Sequence, residues 1–395
     1  MKEESNKLCS GKAILAIIIF AIAIIAAVIV IVVLVLKTGN NMNSYYLSDT
    51  ICENDESGEK KQCYRKINVN MEHYISELDE NVIRTHVRYE NRYGIEIAAD
   101  LYTKKDLDKS QKNPGIIIGP PYGGVKEQGP SVYANQLAKL GYVCLAFDPS
   151  FNGESGGKKR KVSSSDIFVE DFSAGVDYLG TLSYVDRDKI GGIGICGSGG
   201  FLLGAAAIDS RIKAVVTVVM YDIPDLNHVV SDEDWHKKQD ELKIKRWADV
   251  DNGNQECEDF YESDRVYDPK FPKIKPDTDE YNNFWKPFYT TERGHHPRST
   301  GGFTTTSQFS LSNFQVTDNV AKIAPRPIFF ITGDKAHSKD FTQKIYDKVK
   351  DIYTTNKIRE IYSAKDAFHI DLYDDISKIP FKEINEFFQE SFKLN

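Results

Sequence analysis

Beyond Val82 the chain alternates short apolar runs with stretches whose apolar positions recur every three to four residues. "VIRTHVRYENRYGIEIAADLY" has a period of two on either side of Asn91-Arg92-Tyr93-Gly94, which predicts two antiparallel strands joined by a turn. "GIIIGP", "YVCLAFD", "KIGGIGI", "IKAVVTVVMYD", "RPIFFITGD" and "IREIYSA" then read as buried strands. Among them "SVYANQLAKLG", "FVEDFSAGVDYLGTL", "GGFLLGAAAID", "FTQKIYDKVKDIY" and "FKEINEFFQESF" read as helices. Apolar strands separated by helices predict an α/β domain with a mostly parallel sheet covered on both faces. One stretch, 222–320, interrupts the alternation and is too long to be a bare loop in a compact sheet. It reads as a lid inserted at the strand ends, where open α/β sheets bind their ligands.

The N-terminal pattern differs. Ala13 to Leu36 carries no charge and no strongly polar residue, and is long enough as a helix to cross a bilayer. Lys2, Lys7 and Lys12 precede it and only Lys37 follows closely. This predicts one uncleaved transmembrane signal anchor at 13–36, with 1–12 cytoplasmic and the rest extracytoplasmic. Residues 37–81 are polar and weakly periodic and read as a stalk, leaving 82–395 as the α/β domain. Cys52 and Cys63 bracket "ENDESGEKKQ" and are candidates for a small disulfide loop.

Composition narrows the partners. A net charge of -8 supplies no basic footprint for nucleic acid, and six cysteines in 395 residues do not make a disulfide scaffold. His295 and His296 are adjacent, so their side chains diverge, and no Cys/His spacing matches a zinc site. The expected partners are a small molecule and, through 13–36, a lipid bilayer, with no metal or cofactor.

The chemistry concentrates in "IGGIGICGSGG", Ile190 to Gly200. A strand enters this glycine cluster and a helix leaves it. A residue on so tight a strand-to-helix turn needs small neighbours two before and two after. Cys196, between Gly194 and Ser198, fits as the elbow nucleophile in the form G-x-C-x-S. Ser198, between Cys196 and Gly200, is the alternative. A cysteine suits the role because it is partly thiolate near neutrality, more so beside a histidine. "GPPYGGVKEQ" follows the first buried strand, as an oxyanion loop would. Since Pro120 and Pro121 lack an N–H, Tyr122 is its first donor, and Gly197 supplies the other. His369 in "AFHIDLYDD" falls after the last strand, the position of the base in a nucleophile–acid–histidine order. The acid should follow "RPIFFITG", where Asp334 abuts the strand and Asp340 is the alternative.

These segments resemble the α/β-hydrolase superfamily, and within it the branch of dienelactone hydrolases and thiohydrolase-like polyketide transferases. The likeness is carried by "GGVKEQ" with "YANQLAKLGYVCLAFD", by "GESGG" at 153–157, by "GICGSGG" with "RIKAVVTV", and by "AHS" followed by "HIDLYD". It departs at Pro120, where a histidine is common, and at Thr342-Gln343-Lys344, where an acidic pair is often seen. The resemblance implies a Cys-His-acid site acting on an ester, lactone or thioester, by hydrolysis or by transfer to another acceptor. Two rival readings are a non-catalytic binding domain on the same fold and an Xaa-Pro dipeptidyl-peptidase-like hydrolase. The latter needs an amine anchor that "SDEDW" and "DEY" do not evidently form.

Overall fold

The computed structural model describes residues 73–226, 231–257, 285, 287–313, 315–352 and 360–394, with the backbone of strands at 46–47, 51–54, 60–68 and 265–267. The anchor at Ala13 to Leu36 lies outside the described residues. Among those described, no helix is long and apolar enough to cross a membrane. The chain divides into a small unit, Met1–Tyr46 with Asn68–His73, and a large one, Leu47–Ile67 with Tyr74–Asn395, which carries the sheet and the site.

Eight strands form the main sheet: β1 (Val82–Glu90), β2 (Glu96–Lys104), β3 (Asn113–Gly119), β4 (Val143–Phe147), β5 (Val185–Ile195), β6 (Ala214–Val218), β7 (Ile328–Gly333) and β8 (Tyr362–Ala364). Their spatial order is β8-β7-β6-β5-β3-β4-β2-β1. β1 and β2 pair antiparallel, and β2 joins β4 antiparallel, whereas the pairs from β4 to β8 are parallel. The helices used below are α1 (Gly129–Ala138), α2 (Ser165–Thr181), α3 (Gly197–Ile208), α4 (Asp232–Asp251), α5 (Lys339–Val349) and α6 (Phe381–Phe392).

The glycines of β5 set the spacing of these layers. A Cβ on Gly191 would meet Phe388 Cε1 at 2.7 Å, from α6, and one on Gly192 would meet Leu202 Cδ1 at 2.6 Å, from α3. Adjacent strand residues face opposite ways, so the central strand is bare on both faces and takes one helix against each. The α6 face buries Ile384, Phe387, Phe388 and Phe392, each worth about 1.5–3 kcal/mol when fully removed from water.

Two boundaries differ from the sequence reading. The domain begins before Val82: Tyr74 Oη donates to Asp100 at 2.8 Å, Ile75 N–H to the Glu127 carbonyl at 3.2 Å, and Asn135 Nδ2 to the Glu77 carbonyl at 2.9 Å. The stretch read as stalk also contains strands Ile51–Asn54 and Lys60–Asn68, paired antiparallel with Cys52 opposite Cys63, and Arg265–Tyr267 adds a third. Its polar composition hid these strands because no apolar alternation marked them. The side chains of Cys52 and Cys63 are outside the described residues.

The 222–320 insertion has structure of its own. Its helix α4 buries only Leu242, whereas Tyr289, His295, His296 and the Ser299–Ser307 stretch pack closely onto the domain.

Candidate active site

β5 ends at Ile195 and α3 begins at Gly197, so one residue, Cys196, makes the turn. It holds φ 55° and ψ -122°, a conformation that costs a side-chain-bearing residue on the order of 1–3 kcal/mol. Backbone bonds hold it there. Its N–H donates to Val218 O at 2.9 Å, and its carbonyl accepts from Gly199 N at 2.9 Å and Tyr221 N at 3.0 Å. The small neighbour two before is required sterically, since a Cβ on Gly194 would lie 2.4 Å from the Ser198 carbonyl oxygen.

Ser198, the alternative nucleophile, is turned away. Its hydroxyl donates to the Pro120 carbonyl at 2.5 Å and so ties α3 to the oxyanion loop. Cys196 Sγ instead faces the backbone N–H groups of Tyr122 and Gly197 and the hydroxyl of Tyr373. The two expected oxyanion donors therefore converge beside the sulfur. Tyr122 is fixed by its hydroxyl, which donates to Ser163 Oγ at 2.7 Å, and by its ring, stacked on Phe303 with centroids 4.1 Å apart.

His369 reaches the site from the loop after β8, with a different neighbour at each nitrogen. Nε2 meets Tyr373 Oη at 2.9 Å, and Nδ1 meets Ser338 Oγ at 2.7 Å. The expected carboxylate is not at this position. Asp334 is exposed and accepts from Ala367 N–H at 3.2 Å, and Asp340 is exposed in the first turn of α5. The chain turns after β7 so that Ser338, not either aspartate, faces the imidazole. Two rings stack on the imidazole, Trp285 with centroids 5.5 Å apart at 23° and His337 at 4.7 Å and 21°, and they are joined to each other by Trp285 Nε1–H donating to His337 Nε2 at 3.2 Å.

The electrostatics correct a second expectation. Cys196, His369 and Tyr373 are at most 1% exposed. Burial pushes the thiol up to about 11, against the opposing effect of Tyr373 and the two amides. Burial, with His337 nearby, holds His369 well below the usual imidazole range. The resting pair is thus a neutral thiol and a neutral imidazole, because desolvation disfavours both charged forms.

Two arginines of the insertion join it to the loops around the site. Arg293 forks onto Asp374, at 2.8 and 2.7 Å, and also reaches Asp371 at 3.1 Å. Arg298 pairs with Glu127 and with Glu154 Oε1 at 3.2 Å. Glu127, Asp148 and Glu154 are the described carboxylates gathered closely enough to hold a metal ion. Lys126 already supplies a cation there, its Nζ contacting Glu127, Glu154 at 2.7 Å and Asp148 at 3.4 Å.

Ser338, Tyr373, Trp285, Arg293 and Arg298 were not singled out from the sequence. Tyr373 had a signal available: four residues after His369, it shares a face with it on any helical turn. Ser338 lay within the loop searched for an acid, but a hydroxyl gives no comparable sign.

A sheet in this order, with a strained residue alone on the turn between the fifth strand and the next helix, defines an α/β-hydrolase. Residues 97–238 match the dienelactone hydrolase family, and the chain belongs to that family and is a hydrolase. It is 39% identical over 321 residues to an uncharacterized Pseudomonas aeruginosa protein, PA2218, covering 79% of this chain and 82% of that one. The crystal structure of PA2218 superposes with a TM-score of 0.73 at 38% identity, over 80% of this chain and 96% of that chain. The uncharacterized Escherichia coli protein YcjY is 30% identical, over 72% of this chain and 90% of its own length. A thiohydrolase from Eupenicillium brefeldianum is 29% identical over 135 residues, 34% of this chain and 42% of its own.

Proposed function

We propose that the protein cleaves acyl esters or thioesters through an acyl-Cys196 intermediate. The observation carrying this reading is the convergence of the Tyr122 and Gly197 amides on the sulfur of a strained elbow cysteine. Thiolate attack on the acyl carbonyl forms the C–S bond and moves charge onto the carbonyl oxygen, which the two amides then receive. Collapse expels an alkoxide or thiolate that leaves protonated, and water then releases the acid. His369 is the base, and Ser338 orients it in place of a carboxylate. The thiohydrolase among the relatives favours thioesters as the class to test first.

The reading includes anchoring by Ala13 to Leu36, with the catalytic domain outside the cytoplasm, supported by the length of the apolar run and the lysines before it. The decisive experiment is turnover of short p-nitrophenyl esters and acyl thioesters by wild type and Cys196→Ala, with mass spectrometry of the trapped acyl-enzyme. An acyl group on Ser198, or undiminished turnover by Cys196→Ala, overturns the mechanism. Protease added to spheroplasts should remove the domain, and full protection refutes the orientation.

A further inference from the structure

His369 does not reach Cys196 directly. Its Nε2 meets the Tyr373 hydroxyl, and the same hydroxyl stands against the Cys196 sulfur. The imidazole is also not free to swing toward the thiol. The linked rings of Trp285 and His337 stack against it, Tyr221 packs beside it with centroids 5.4 Å apart, and Ser338 holds Nδ1 at 2.7 Å. Tyr373 is equally fixed: its ring is fully buried and packs edge-on against Phe288 and Tyr289. Thiol, phenol and imidazole form one chain of donors and acceptors. A hydroxyl both donates and accepts, so the order S–H to Oη, O–H to Nε2, and Nδ1–H to Ser338 Oγ satisfies every member.

We infer that Tyr373 is a catalytic residue that carries the proton between Cys196 and His369 in both directions. In acylation, Sγ–H gives its proton to Tyr373 Oη as Oη–H gives its own to His369 Nε2. The sulfur's electron pair forms the bond to the acyl carbon, leaving a neutral tyrosine and an imidazolium. When the tetrahedral adduct collapses, the imidazolium proton returns through Oη to the leaving oxygen or sulfur, and the acyl–leaving-group bond breaks. Deacylation repeats the sequence with water in place of the thiol. Burial drives the phenol well above its ordinary range, so a free tyrosinate is disfavoured and the two protons move together.

This inference rests on the acyl-cysteine reading, and the test separates the two. The kcat for p-nitrophenyl acetate is measured for full-length wild type, Cys196→Ala, His369→Ala, Tyr373→Phe and the His369→Ala/Tyr373→Phe double variant. Wild type is also measured across mixtures of H2O and D2O. Tyr373→Phe should lose about 10²-fold or more, the scale of acid–base catalysis. The double variant should be no worse than the worse single one, because base and relay act as a unit. A merely structural tyrosine would instead give losses that multiply. Wild-type kcat should curve with deuterium fraction, as two protons in flight require. A linear dependence overturns the relay whatever the variants do, even if Tyr373→Phe fails to fold. So does a Tyr373→Phe enzyme within about threefold of wild type. Full activity in Cys196→Ala would instead remove the acyl-cysteine reading itself.

Discussion

On the proposed reading, replacing Ser338 with alanine isolates how His369 works as a base without a carboxylate partner. The substitution deletes the hydroxyl 2.7 Å from His369 Nδ1 and leaves the stacked Trp285 and His337 rings in place. The ring plane is therefore retained and the tautomer is what changes. With Nδ1–H buried and unpartnered, the fold bears the penalty of an unsatisfied donor, about 1–3 kcal/mol. The imidazole escapes that penalty by moving its proton to Nε2, but Nε2 can then no longer accept one. Returning to the competent tautomer costs the same free energy, so kcat should fall by about 5-fold to about 150-fold with little change in KM. Asp334→Asn and Asp340→Asn should each remain close to wild type, since neither side chain meets the imidazole. The assay is p-nitrophenyl acetate turnover, with thermal melting to confirm that each variant is folded. If Ser338→Ala keeps wild-type kcat while Asp334→Asn loses most of it, the assignment of Ser338 as the orienting group is refuted.

Gly194→Ala should destabilise the domain by about 1–3 kcal/mol or more, because its Cβ would press on the Ser198 carbonyl and Gly199 Cα, backbone that cannot yield. Gly180→Ala, whose Cβ would come no closer than 3.5 Å to Arg187, is the tolerated control, and chemical denaturation compares the two. Ser198→Ala removes the bond to the Pro120 carbonyl and should cost about 1 kcal/mol of stability, yet leave the acyl adduct on Cys196 by mass spectrometry. Burial raises the Asp171 carboxyl from 3.8 to about 7, against the bonds it accepts from Ser150 and Asn91. The fold therefore holds a proton that the unfolded chain has lost between these values. The stabilisation is fully present below about pH 3.8 and disappears as pH rises to about 7, an order-of-magnitude change of 4 kcal/mol, roughly. Asp171→Asn should flatten that part of the stability–pH profile in urea melts at pH 5 and 7.5, and an unchanged slope would sink the attribution.

The apolar runs made the sheet legible because its strands are buried on both faces, and burial leaves a continuous signal in "GIII" or "VCLAF". The elbow was legible for a steric reason. Gly194 and Ser198 flank a turn that excludes larger residues, so the spacing itself records the geometry. The partners of His369 were not legible, because they depend on where two separate loops meet. A search of the loop after β7 for carboxylates finds Asp334 and Asp340, yet the backbone brings Ser338 inward. The resting protonation was also hidden. Cysteine beside histidine promises a thiolate only if the pair is solvated or charge-stabilised, and here the dominant influence is desolvation, a property of the packed insertion. The polar strands at 51–54 and 60–68 escaped for the opposite reason: nothing apolar marked them.

The arginine pairs tie the insertion to two segments beside the site. Arg298 grips Glu127 in the segment that follows the Tyr122 donor, and Arg293 grips the turn that carries Tyr373 and lies just after His369. On the proposed reading, lifting this cover to admit an acyl compound would release both grips and loosen the anion cradle and the proton path together. An open molecule is then a poor catalyst and a closed one a sealed reactor. On the acyl-cysteine reading, an adduct formed inside would meet the few molecules shut in with it rather than bulk water. The fate of the acyl group is accordingly decided by what was enclosed at closure. For any added nucleophile, the ratio of transfer to hydrolysis should level off once the enclosed position is filled, instead of rising in proportion to its concentration.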